Sequence, residues 1–312
     1  TELIGGRSYN GRVSFDAEDN NGSAVLSGSD DNARTSFEIS VDEDGHPLVF
    51  SDGIELRPDS FDRKHPAPAE LVGTYTMSLP GTSLDGFFEH GVGDSVASVT
   101  LSADGSVKIA GVMADGQPFI GSAQLGAENI APFNIPLYRG KARGYFSGEI
   151  AFVGSDAPDG SLTGHATWRK PFGIAGLPES KGFTASGDLV GGFYTPEELP
   201  GSLAINFNFG PNPHTDVMRA TGAGTLAKKF ALTGTLVDTS TFQLDSALTL
   251  KTGLILGKRP KKATTGPKSF TGVILQEQNK VGGSAVFTDP GIAEIDIAPS
   301  DFTAPVTGTF PP

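Results

Sequence analysis

The chain has no cysteine, which removes disulfides, thiolate metal ligands and cysteine nucleophiles together. It has one tryptophan, Trp168, and five tyrosines against 21 phenylalanines. Aromatic rings without a polar edge fill cores before they bind ligands. No run reaches the roughly 18 consecutive apolar residues of a membrane helix, and no basic-then-apolar signal segment opens the sequence. The reading is a soluble or already processed chain. Cations are the minority charge, 23 Lys and Arg against 36 Asp and Glu, for a net charge of −13. That balance argues against general affinity for nucleic acid or anionic membranes, both of which want a basic face. Helix-compatible windows are scarce as well, because 42 Gly and 22 Pro interrupt nearly every stretch long enough for one. A single turn near Thr195–Leu199 is the most the sequence offers.

What recurs is the period of a strand. Leu203, Ile205, Phe207 and Phe209 alternate with Ala204, Asn206 and Asn208. Phe37, Ile39 and Val41 alternate with Glu38, Ser40 and Asp42 and stop at Asp44-Gly45, a dipeptide suited to the positive φ angles of a tight hairpin. Further Asp-Gly turns stand at 104–105, 115–116 and 159–160. In 235–252, free of Gly and Pro, Phe242, Leu244, Leu248 and Leu250 share one face of a long strand. An apolar-x-Gly-x-apolar unit recurs at 9–13, 109–113, 146–150, 232–236, 270–274 and 306–310. Its Gly falls on the apolar face, as a tightly coiled sheet or small barrel requires where backbone approaches backbone. Residues 9–26 also align without gaps to 270–287, sharing Gly22-Ser23-Ala24-Val25 with Gly283-Ser284-Ala285-Val286, which reads as duplicated β modules. The expectation is an all-β fold of two or three antiparallel barrel-like or sandwich modules. Pro66-Ala67-Pro68 and 171–178 read as linkers, dividing the chain into an acidic module 1–65, a central module 70–175 and a C-terminal module 183–312 that carries a basic loop at 257–268.

Gly73-Thr74-Tyr75, Val99–Gly105, Gly164–Pro171, Gly192–Pro196 and Phe270–Gln276 together resemble Gly-rich all-β modules of large secreted bacterial surface proteins. The resemblance covers roughly 71–288 and rests on short structural motifs. It implies an exported protein or a fragment of one, at the cell surface or outside the cell, and carries over no catalytic residue.

His46, His65, His90, His165 and His214 are scattered, with no second His three or four positions away to make a metal pair. Gly253–Lys258 is one spacer short of a phosphate loop, with Arg259 where a hydroxyl should follow. Asp16–Gly22 offers oxygen donors in the wrong register for a calcium loop and reads as a solvated acidic turn. No catalytic residue, metal or cofactor is expected, although a carboxylate pair in a β fold leaves no spacing signature. Trp168, flanked by Arg169 and Lys170, is either an exposed ring for an acidic glycan or a core tryptophan at a strand end.

Charge layout is more telling. Residues 1–62 hold fourteen acids, Asp42, Glu43 and Asp44 among them, against Arg7, Arg12, Arg34 and Arg57. Lys258, Arg259, Lys261, Lys262 and Lys268 lie in a loop without a single acid. Complementary patches steer association and fix its register. The functional expectation is therefore a non-enzymatic structural or adhesive surface protein whose partners are copies of itself. The alternative is a carbohydrate-binding module of a polysaccharide-degrading system.

Overall fold

The computed structural model describes residues 61, 63–81, 93–138, 144–154, 161–172, 182–196, 228–235, 241–265 and 268–285 with their side chains, apart from the side chain of Ala127. It describes the backbone alone for the strands in 2–56, 202–207, 220–225, 301–309 and the strand ends at 236 and 286–288. Among the described residues all regular elements are strands or single 3-10 turns, so the fold is all-β as its periodicity demands.

The strands form three sheets, all antiparallel. Glu2–Ile4 (β1), Arg7–Asp16 (β2), Asn21–Gly28 (β3), Arg34–Val41 (β4), Pro47–Ser51 (β5) and Ile54–Leu56 (β6) make a meander in chain order. The second sheet holds Gly73–Leu79 (β7), Ser95–Leu101 (β8), Ser106–Val112 (β9), Pro118–Gln124 (β10), Ile130–Leu137 (β11), Gly144–Phe152 (β12), Leu162–Lys170 (β13) and Phe183–Phe193 (β14). Its order is β10-β9-β8-β7-β14-β13-β12-β11. The third holds Ser202–Phe207 (β15), Ala220–Thr225 (β16), Lys229–Leu236 (β17), Thr241–Thr249 (β18), Leu254–Lys258 (β19), Ser269–Leu275 (β20), Lys280–Thr288 (β21) and Asp301–Thr309 (β22), a barrel closed by pairing of β15 with β22.

The central sheet curls until its two edge strands meet, yet no ladder joins them. Gly121 of β10 lies against the Ile135 side chain of β11, and Gly126 N–H donates to the Ile130 carbonyl at 2.8 Å where the strands diverge. That bond aims the even-numbered backbone groups of β11 at β10. Extended in the same register, it would set Gln124 opposite Pro132 and Ile120 opposite Pro136, and neither proline has an N–H to give. The barrel is thus closed by side chains and left open by hydrogen bonds.

Its interior is aromatic. Tyr75 is fully buried, stacked on Phe193 at 4.2 Å and edge-on to Phe152 at 5.0 Å, with its hydroxyl donating to the Leu71 carbonyl. Phe119, Phe146 and Phe133 form a second run at 5.3 and 4.9 Å. Close strand contact needs glycine: a Cβ on Gly148 would run into the His165 carbonyl, and one on Gly111 into the Val96 carbonyl. Both are centres of the apolar-x-Gly-x-apolar unit. The Asp-Gly pairs at 104–105 and 115–116 make hairpin turns, each with the Asp Oδ1 accepting the N–H two residues on and with glycine at φ 77° and 85°. The pairs at 44–45 and 159–160 lie outside the described residues.

Three organisational expectations need correction. The 171–178 stretch is no module boundary, since β14 pairs with β13 along its length and then with β7, which puts the end of the central barrel at Phe193. Ala67 between its prolines is no free linker: it is buried in the central core and donates its N–H to the Ala103 carbonyl. The self-match of 9–26 with 270–287 falls on two hairpins, β2–β3 and β20–β21, whose pairings differ. Gly11 faces Leu26, whereas Gly272 faces Gly283. The turns sit at different places in the aligned segments, and register follows the turn.

The C-terminal barrel docks on the central one through β20 and the turn after it. Gln276 and Thr195 exchange two hydrogen bonds, at 2.6 and 2.9 Å. The Glu277 carboxylate accepts from Ser161 N–H, Ser161 Oγ and Phe193 N–H at 2.6–3.0 Å. Gln278 donates to the Gly191 carbonyl, and Thr76 Oγ1 to the Ile274 carbonyl. Val96 of one barrel packs with Val273 and Leu275 of the other.

Candidate functional site

On the outside of the C-terminal barrel, β18 alternates strictly. Phe242, Leu244, Ser246 and Leu248 point inward and are buried, while Thr241, Gln243, Asp245, Ala247 and Thr249 are exposed. Leu250, expected on the inner face, lies past the strand end and is half exposed. The apolar side faces in and the polar side faces out.

The end of β19 and the loop between β19 and β20 carry the predicted cations. Lys258, Lys261, Lys262 and Lys268 are exposed, and Arg259 is partly covered. The loop is held by its own backbone: Arg259 N–H donates to the Lys268 carbonyl at 3.0 Å and Ala263 N–H to the Pro260 carbonyl at 2.9 Å. Arg259 Nη1 reaches the Thr264 carbonyl at 3.3 Å, and Thr265 Oγ1 fixes the loop to β18 through the Thr241 carbonyl at 2.7 Å. Lys258 stands directly across from Asp245 in the β18–β19 register. Between loop and sheet runs an open groove of about 510 Å³, lined by Thr233, Thr235, Thr241, Gln243, Ala263 and Thr265 among others. Threonine hydroxyls and the Gln243 amide are its polar groups. Asp42, Glu43 and Asp44, the acidic counterpart expected from the sequence, lie outside the described residues.

The second predicted cluster does not form a surface. Trp168 and Lys170 are each only 1% exposed, so neither can meet a glycan; Arg169 alone points outward. Strand parity is the reason. Residues 168 and 170 share a face of β13, so the ring that enters the barrel carries the lysine in with it.

That lysine ends in a built polar cluster at one end of the central barrel. Its Nζ lies 3.4 Å from Oδ2 of Asp115, which is 5% exposed. The Tyr138 hydroxyl donates to the same Oδ2 at 2.7 Å, and Trp168 Nε1 donates to the Tyr138 oxygen at 3.0 Å. Asp115 Oδ1 accepts the Gln117 N–H. Burial and the charge of Asp115 push the Tyr138 phenol far above its ordinary range, so it stays a donor. Tyr138 holds φ at 56°, a left-handed backbone that a bulky residue adopts only when its surroundings impose it. The cluster spans the proline seam: Asp115 precedes β10, Tyr138 follows β11 and Lys170 closes β13. Sequence reasoning missed Asp115 and Tyr138; the inward parity of Trp168 and Lys170 was the available signal that a buried anion must face them.

Among the described residues no group of three or more His, Asp or Glu is placed to hold a metal ion. His165 is exposed and bonded to Asp188 on the neighbouring strand at 2.9 Å. Compared with known protein families, curated proteins and solved structures, the chain matches none.

Proposed function

We propose that the chain is an exported, non-enzymatic structural or adhesive component of a cell surface that associates with copies of itself. The observation that carries this reading is the self-braced basic loop, which projects four exposed lysines from a chain whose first 62 residues are strongly acidic. An acidic surface of one copy meeting the basic loop of the next is a heterologous contact, which builds rings or filaments rather than two-fold dimers. Such contacts set encounter rate and register more than affinity, and salt screens them over about 10 Å. The outward polarity of β18 is that of a barrel bathed in water, the reverse of a lipid-facing strand. Replacing Lys258, Lys261, Lys262 and Lys268 by Glu tests the reading. The variant should stay monomeric at concentrations where the wild type associates; unchanged association would remove the loop from the interface.

Polysaccharide binding is the second reading, and the groove beside the loop favours it with threonine hydroxyls and an amide along one open channel. Thr233→Val with Thr241→Val should then weaken retention on an acidic polysaccharide while leaving salt-dependent association intact.

A further inference from the structure

We propose that Lys170 and Asp115 react with each other to form an intramolecular amide that locks the central barrel covalently. The amine and the carboxyl are already in contact, Nζ to Oδ2 at 3.4 Å, and both side chains are almost wholly buried. Hydrogen bonds hold both oxygens of the carboxyl. The Gln117 N–H holds Oδ1, and the Tyr138 hydroxyl, itself fixed by Trp168 Nε1, donates to Oδ2. Holding two reacting groups at contact in a rigid interior replaces a bimolecular encounter with an intramolecular one, and this is the main requirement for a condensation with no cofactor.

The step balances without an added reactant. A proton passes from the Nζ ammonium to Oδ2, which frees the nitrogen lone pair to attack Cγ of Asp115, and the C–N bond forms. The Cγ–Oδ2 bond breaks, and Oδ2 leaves as water with two protons that began on Nζ. Tyr138, which touches Oδ2, relays a proton to the leaving oxygen and recovers one from nitrogen; its persistence as a phenol suits that role. Nothing is oxidised or reduced.

The position gives the bond a purpose. The β10–β11 seam has no ladder because of Pro132 and Pro136, so one edge of the barrel is closed by packing alone. Asp115 stands on one side of that seam and Lys170 on the other, two strands beyond β11. An amide between them ties the turn before β10 to the end of β13, across the seam the hydrogen bonds leave open, and it does so in a chain with no cysteine for a disulfide.

Intact-mass spectrometry of the purified full chain, denatured before analysis, tests the proposal. The wild type should be lighter than its sequence mass by one water, and a tryptic digest should contain the Asp115 and Lys170 peptides as one branched species. Asp115-Gly116 could also lose water by closing on its own backbone, so Lys170→Arg is the discriminating variant. It should return to the full sequence mass if the amide is real and keep the loss if the backbone closure is responsible. A wild type at full mass with both peptides recovered separately would overturn the proposal, as would persistence of the water loss in Lys170→Arg.

Discussion

Where the two barrels touch, Asp94 is desolvated, and burial raises its carboxyl to about 6 even though hydrogen bonds from Gly81 and Gly283 and the charge of Lys280 pull the other way. Its folded-state pKa lies above the unfolded value, so the folded chain holds this proton more tightly. The stability it contributes is complete below about pH 4 and is lost as pH rises through about 6. On this account, Asp94→Asn flattens that stretch of the stability profile, by on the order of 1–3 kcal/mol across the window. Chemical denaturation at pH 4.5 and 7.5 reads the difference, and an unchanged slope would show that Asp94 is well solvated. Tyr138 gives a second residue-level expectation. Tyr138→Phe leaves the Trp168 Nε1–H without its acceptor in a dry interior. A loss of about 2 kcal/mol in urea unfolding is expected, the cost of leaving a buried donor unsatisfied.

At the scale of strands, glycine separates two kinds of requirement. Gly148 sits where a Cβ would strike the neighbouring strand's backbone, whereas Gly116 has nothing within 4 Å but turns at φ 85°. Gly148→Ala should cost about 1–3 kcal/mol or more by forcing strands apart. Gly116→Ala should cost about 1 kcal/mol through backbone strain alone. Thermal unfolding of the pair checks the order. This level was the most legible in the sequence. The alternation of Phe242, Leu244 and Leu248 gave β18, and the Asp-Gly pairs gave two hairpins, because both signals are local. Domain borders were not, since Phe183–Phe193 reads like any strand and only its pairing with β7, about a hundred residues earlier in the chain, assigns it to the central barrel. The buried cluster was half legible. Trp168 and Lys170 share a parity, but nothing nearby marks Asp115, whose Asp-Gly context reads as a turn and nothing more. Pro132 and Pro136 were visible as strand residues without N–H groups, yet which edge they face depends on register.

Across the whole molecule, the two barrels are joined by a polar turn beside a small apolar cluster. Glu277 receives three hydrogen bonds there, two from Ser161 and one from Phe193, and Gln276 and Gln278 flank it. Glu277→Ala should leave each barrel folded and loosen their contact. Calorimetry should then show two separate unfolding transitions where the wild type shows a more cooperative one, whereas a single unshifted transition would assign the docking to Val96, Val273 and Leu275 instead. The same turn orients the C-terminal barrel and with it the basic loop, whose opposite charge lies in residues 1–62. Light scattering of the full chain at low and at high salt tests this arrangement most directly. The account predicts a molar mass well above the 32.3 kDa of one copy at low salt, falling toward that value as salt is added. A strict monomer under both conditions would contradict it.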